Sequence, residues 1–145
     1  MNTFEISDIL VGDHICRRLF QGVFSVDTLP DRPRLLVCNT DVSSKPGIHW
    51  VAIYVDEEGH GDYFDSFGRP PTKQFEYYLN AYCVRWSYNR KQLQSINSIF
   101  CGYYACFYCL YRSRNIDMNS IVNMFTSDTG FNDSIVHSFV TNKIS

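Results

Sequence analysis

Three short stretches hold the residue types that thiol chemistry needs. Cys101 stands where a polar run, residues 94–98, gives way to an apolar one, 99–111. A thiol in the first turn of a helix lies among unpaired backbone N–H groups at the positive end of the helix dipole, and both favour the thiolate. Of the six cysteines, Cys16, Cys38, Cys83, Cys101, Cys106 and Cys109, only Cys101 reads as so placed. Gly102, lacking a Cβ, lets a substrate backbone approach closely. In Gly47-Ile48-His49-Trp50, an imidazole falls at the start of an expected strand, where it can reach a rim. A lone His is more often structural, and His14, His60 and His137 are read that way. In Phe64-Asp65-Ser66-Phe67-Gly68, a carboxylate is flanked by aromatic residues at a strand end. A carboxylate is costly to bury without a partner. Asp65 therefore either caps the turn before Gly68 or, if its strand is hairpin-paired to that of His49, lies beside the imidazole.

Together these residues supply a nucleophile (Cys101), a base (His49) and an orienting acid (Asp65), in the chain order His, Asp, Cys. Thiolate attack on a carbonyl needs an adjacent imidazole held in one tautomer. It also needs donors for the developing oxyanion, which the Gln94 amide and the backbone N–H of Cys101 can provide. Cys106-x-x-Cys109 is half a zinc motif with no second pair, whereas structural zinc needs four ligands. Its thiols read as small core side chains, and no metal is expected.

The elements that must position these residues follow from periodicity and punctuation. Residues 3–24 mix helix and turn signals. Strands are expected at 34–39, 48–55, 62–67 and 84–88, with a hairpin turn at 57–61 and loops at 29–34, 41–47 and 89–100. Pro70-Pro71 opens a helix over 72–82. Residues 101–112 form a helix apolar all round, hence buried in the middle of the fold. A last helix is expected over 132–140, capped by Asn132 or Asp133. The class is α+β: a small mixed sheet packed against a central buried helix that carries the nucleophile. The resulting site is papain-like, with permuted His-Asp-Cys order.

Composition narrows the rest. The 145 residues predict one domain over 1–145, and 45% hydrophobic with 19% charged residues is globular composition. The apolar run is too short for a bilayer span, and the first residues lack a basic region, so neither membrane insertion nor secretion is expected. With cysteines in apolar runs, reduced thiols and an intracellular location follow. A net charge of −2 argues against general nucleic-acid binding. Residues 77–116 nonetheless hold Arg85, Arg90, Lys91, Arg112 and Arg114 and no acid. They form either a local basic face or an ordinary solvated surface.

The three motifs resemble those of the adenovirus endopeptidase (adenain) family, within the clan of SUMO- and ubiquitin-like-specific cysteine proteases. Gly47…His49-Trp50, Phe64-Asp65-Ser66-Phe67-Gly68 and Gln94, seven residues before Cys101-Gly102, stand in the family's places. Phe20-Gln21-Gly22-Val23-Phe24 and Gln74-Phe75-Glu76-Tyr77 extend the likeness, which spans about Leu19 to Asp128. The resemblance implies that Cys101 is the nucleophile, His49 the base and acid, Asp65 the orienter and Gln94 the oxyanion donor. Trp50 would then shield the site. It also implies protein substrates: viral or virus-like precursors of capsid or core, cut at Gly-containing sites during maturation in a host nucleus or a virion. The family's activators are a peptide that can be disulfide-linked, for which Cys83 stands 18 residues before Cys101, and DNA. The acidic balance here weighs against DNA. Ser66 replaces the usual Pro, and Asp65 a Glu. A deconjugating protease acting on Gly-Gly tails of ubiquitin-like modifiers would use the same triad, but a short monomeric chain offers little docking surface for such a domain. A non-catalytic binding module would have lost a catalytic residue, and none is lost.

Overall fold

The computed structural model describes residues 1–41 and 49–144. Gly47, Ile48 and the expected loop after Asp41 lie outside the described residues. The chain opens with α1 (Thr3–Gly12), started by a capping box. The Asn2 side chain accepts from Glu5 N–H at 2.9 Å and the Glu5 side chain accepts from Asn2 N–H at 3.1 Å. A 3₁₀ turn, Cys16–Arg18, leads to β1 (Phe20–Ser25). This strand corrects the helix-and-turn reading of 3–24. A bulge between Phe20 and Gly22, with Gly22 at φ 138°, breaks the period-two alternation that would have revealed it.

Four more strands follow: β2 (Leu35–Asn39), β3 (Trp50–Val55), β4 (His60–Phe64) and β5 (Arg85–Tyr88). They form one sheet in the order β1-β2-β3-β4-β5. The outer pairs are parallel and the two inner pairings antiparallel, so the sheet is mixed as expected, with five strands rather than four. The β3–β4 hairpin pairs Ala52 with Phe64, which sets the residue before β3 near the residue after β4. Those residues are His49 and Asp65.

Alternation splits the side chains between two faces. Leu36, Cys38, Val51, Ile53 and Tyr63 face α2 (Lys73–Tyr82), which buries Phe75, Tyr78 and Leu79 on them. The parallel β4–β5 pairing requires such a crossover. On the other face Leu35, Val37, Trp50, Ala52, Tyr54 and Phe64 pack against α3 (Cys101–Arg112), with α1, α4 (Met118–Val122) and α5 (Thr129–Ile144) around it. Nine of the twelve residues of α3 are buried, including Cys106 and Cys109, which serve the core. Two expectations need correction. The five-residue α4 is too short to show periodicity in sequence. Helix α5 begins before the expected cap: Asp128 accepts from Phe131 N–H at 3.1 Å, while Asn132 and Asp133 lie inside the helix.

Polar ties set α3 against β4. Tyr108 Oη and Arg112 Nε donate to Asp62 Oδ2 at 2.6 and 2.9 Å, the Arg112 guanidinium lies over the Tyr54 ring, and Tyr108 stacks on Phe64. Arg114 pairs with Asp13. Two of the five cations noted in the sequence are thus spent inside the fold, while Arg85, Arg90 and Lys91 remain exposed.

Candidate active site

Three elements converge on one point. Cys101 is the first residue of α3, His49 immediately precedes β3 and Asp65 immediately follows β4. Cys101 and Asp65 are buried, and the His49 side chain is 14% exposed. Nε2 of His49 meets Asp65 Oδ1 at 2.9 Å. The same Oδ1 accepts from Phe67 N–H at 2.8 Å, and the Phe67 ring lies 5.0 Å from the imidazole, so the ring is fixed in place and in tilt. Nδ1 is buried and has no hydrogen-bond partner among the described residues. With Nε2 committed to Asp65, Nδ1 is the nitrogen left to act on the neighbouring thiol.

The electrostatics follow from that arrangement. Burial opposes a charge on His49, but its hydrogen bond to Asp65 and the neighbouring Cys101 sulfur outweigh burial and push its pKa up to about 9. Burial likewise opposes a thiolate at Cys101. The contact with His49 and the backbone N–H groups of Trp50 and Gly102 overcome this and pull the thiol below its ordinary value. Each group favours the other's charged form, which is what a thiolate–imidazolium pair requires. The remaining five thiols all shift the opposite way, because burial outweighs whatever opposes it there.

A cleft of about 430 Å³ opens on Cys101, lined by His49, Trp50, Phe67, Arg69, Ser98 and, from α1's side, Met1. Trp50 is buried; its Nε1–H donates to Met1 O at 3.2 Å. A Cβ on Gly102 would lie 3.1 Å from Met1 Cβ and 3.2 Å from Trp50 Cδ1. Trp50 thus lines the cleft beside Cys101, while Gly102 does not line it and the Met1 side chain lies over Gly102.

Gln94 lies fully buried. Its Oε1 accepts from Ser66 Oγ at 2.6 Å, and its Nε2 donates to Ser98 O and Ser98 Oγ at 3.0 and 3.1 Å. The amide is thus near the nucleophile's loop but turned onto Ser98, not into the cleft. Its loop is held from α5 and α3: Asn132 Nδ2 donates to Leu93 O at 3.0 Å, and Tyr104 Oη to the same oxygen at 3.2 Å. Cys83 is not brought to the site. It caps the C-terminus of α2 and its sulfur lies against Gly61, near the start of β4, whereas Asp65 follows the end of that strand. At the rise of a strand that separation is roughly 13 Å. Burial, with Asp56 and Asp62 nearby, holds the Cys83 thiol above its ordinary value.

Residues the sequence did not flag complete the site. Phe67 braces the imidazole, Ser98 holds Gln94, and Asn89 pairs with the backbone of Asp65. The Phe67 motif was visible as an aromatic residue beside an acid. Asn89 and Ser98 fell in an expected loop, where nothing marks a buried polar residue. No group of three or more metal-ligating side chains occurs among the described residues.

Comparison with known proteins now bears on this geometry. A protein of Acanthamoeba polyphaga mimivirus named as a thiol protease is 33% identical over 81 residues, which cover 48% of this chain and 26% of that protein. A cysteine protease of African swine fever virus is 28% identical over 123 residues, covering 71% of this chain and 42% of that one. The chain is a homologue of viral cysteine proteases. The crystal structure of the African swine fever virus protease superposes with a TM-score of 0.65 over 94% of this chain and 66% of that one, at 19% identity, and so shares the fold. The chain spans less than half the length of either relative. No family model matches it.

Proposed function

We propose that this protein is a cysteine endopeptidase that cuts viral or virus-like precursor polypeptides, capsid or core proteins, at Gly-containing sites during particle maturation. The observation that carries the reading is the single line Asp65–His49–Cys101, in which one thiol of six is lowered and faces an imidazole whose other nitrogen is held by a carboxylate. The names of both viral relatives support it. The Cys101 thiolate attacks the scissile carbonyl. His49, protonated, gives its Nδ1 proton to the leaving amine, and the acyl-enzyme thioester is then hydrolysed by a water that His49 deprotonates. The oxyanion takes the Cys101 backbone N–H and, once it turns from Ser98, the Gln94 amide. Within this reading an activating peptide would join by disulfide exchange at Cys83. That thiol is poorly ionised, so the exchange would be slow at neutral pH.

The test is intact mass after treatment with a peptide electrophile ending in Gly, on the wild type and on Cys101→Ala. One adduct on the wild type and none on the variant supports the reading. Labelling that survives Cys101→Ala refutes it. Turnover of a precursor peptide, measured against a Gly-Gly conjugate of a ubiquitin-like modifier, then separates maturation from deconjugation.

A further inference from the structure

The end of β4 poses a problem that the chain solves with a side chain. The parallel ladder between β4 and β5 runs from His60↔Arg85 to Tyr63↔Tyr88 and stops there. Asp65 lies beyond it, buried, so its backbone N–H and C=O have lost their strand partners, and an unpaired buried backbone group is costly. Asn89 follows the last residue of β5 and is itself only 4% exposed. Its Oδ1 accepts from Asp65 N–H at 2.8 Å, and its Nδ2 donates to Asp65 O at 2.6 Å. A carboxamide carries one acceptor and one donor side by side, as a peptide group does. Asn89 therefore stands in for one more residue of β5, while the main chain itself turns away towards Arg90 and the Gln94 loop.

The consequence reaches the catalytic groups. Asp65 O also accepts from Gly68 N–H at 2.7 Å, so its backbone is held by three hydrogen bonds, two of them from Asn89. The turn at 65–68 places Phe67 N–H on Oδ1 and the Phe67 ring against His49. Where Asp65 sits decides where Oδ1 sits, and Oδ1 is what holds Nε2 of His49. Gly68 cannot be the main anchor: it is part of the turn that Asp65 begins. Ser66 is tied to Leu93 and Gln94, but the anchor that holds the Asp65 backbone itself from outside the turn is Asn89, which the function assigned above leaves without a role.

We infer that Asn89 is a positioning residue of the triad: its carboxamide clamps the Asp65 backbone and thereby aims the carboxylate at His49. This rests on the cysteine-protease reading for its purpose, though not for its geometry. It predicts a specific failure. Losing the clamp loosens the Asp65–His49 contact and lets the imidazole drift, while the cleft that binds substrate stays as it was.

The test compares wild type with Asn89→Ala and with Asn89→Leu, which fills the space without hydrogen-bonding. The readouts are the pH profile of Cys101 alkylation by iodoacetamide, which needs no peptidase activity, and kcat and KM on a Gly-containing peptide. In folded variants the alkaline limb set by His49 moves down from near 9 towards the ordinary His range. Turnover falls about ten- to a hundredfold, as for a small misplacement of a catalytic group, with KM within about twofold. A folded variant whose limb does not move, or a loss that appears only in KM, overturns the inference. So does the unfolding of both variants, which would make Asn89 a folding residue. If the wild type alkylates at Cys101 with a lowered thiol yet cleaves no peptide, the protease reading fails and the alkylation limb still decides the role of Asn89.

Discussion

Replacing Asp65 by Asn separates two things the carboxylate does for His49: hold the ring and favour its charge. Both donors that reach Asp65, His49 Nε2–H at 2.9 Å and Phe67 N–H at 2.8 Å, converge on Oδ1. An Asn side chain in the same rotamer keeps that oxygen, and Phe67 N–H prevents it from flipping its amide nitrogen into the same place. Ring orientation and tautomer therefore survive, and only the negative charge goes. The rise of His49 from 6.5 to about 9 corresponds to roughly 3 kcal/mol in favour of the protonated ring. Opposite charges about 4 Å apart attract by roughly 4 kcal/mol at an effective dielectric of about 20. One carboxylate is thus large enough to supply half or more of the effect, the Cys101 thiolate the rest. Removing about half, roughly 1.5 kcal/mol, lowers the alkaline limb by about one pH unit, which costs about tenfold in the ion-paired rate above the limb and little at neutral pH. The sign follows from the raised pKa: the protonated ring is retained below the limb and lost as pH rises through it, earlier in the variant. In a serine-protease triad the same exchange costs roughly 10⁴ because it leaves the wrong tautomer, and the shared Oδ1 here predicts a far smaller loss. The assay is kcat/KM on a Gly-containing fluorogenic peptide across the neutral and alkaline range, with His49→Ala as the floor. An unmoved limb, or a loss as deep as that of His49→Ala, refutes the reasoning.

Two other substitutions probe the surroundings. Gln94→Ala should lower kcat by on the order of a hundredfold with KM unchanged if the amide turns to the oxyanion; a loss below about tenfold would mean that it only bridges Ser66 and Ser98. Asp13→Asn tests the fold rather than the site. Asp13 accepts from Arg114 at 2.8 Å, Lys143 at 3.0 Å and Cys16 N–H at 2.8 Å, joining α1 to the ends of α3 and α5, and these bonds hold its carboxyl well below the usual carboxylate range although burial opposes them. Its contribution is present at neutral pH and fades as pH falls through the carboxylate range. Urea unfolding should show a deficit of roughly 1–3 kcal/mol for the variant at neutral pH, narrowing below about pH 4, where the unfolded chain takes up the proton that the folded carboxylate still refuses. A deficit that does not narrow would assign it to packing.

The parts of the site that were legible in the sequence were those with chemistry in one residue type and position. Cys101 was marked by the change from polar to apolar sequence, His49 and Asp65 by the strands they adjoin, and the β3–β4 hairpin joins the last two by pairing alone. The all-round apolar character of 101–112 correctly made α3 the buried centre. What was illegible depends on contacts across the chain. β1 is an edge strand whose bulge destroys its period. Asn132 and Asp133 look like caps because Asn and Asp commonly are, yet their side chains are drawn to Leu93, Ser95 and Tyr104 once α5 packs beside the Gln94 loop. Asn89 looks like a loop residue because a carboxamide replacing a strand residue leaves no local pattern.

Ser66 ties these pieces together. Ser98 O can only accept, so the Gln94 atom beside it must be the donor Nε2, and Oε1 must therefore face Ser66 and receive its hydroxyl hydrogen. Ser66 O in turn accepts from both Leu93 N–H and Gln94 N–H, at 2.9 and 3.1 Å. Ser66 thus grips the Gln94 loop at three points, while Asn89 grips Asp65 itself. Where the resembling family carries Pro at the place of Ser66, the carbonyl contacts could persist, since a Pro keeps its C=O, but the hydroxyl contact could not. In this chain, then, the rotation that would bring the Gln94 amide to the oxyanion must pivot about the Ser66 hydroxyl, with Oε1 as the fixed end and Nε2 as the moving one. Asp65 and Gln94 are held as one unit beside β4 and β5, and Cys101 meets that unit from α3.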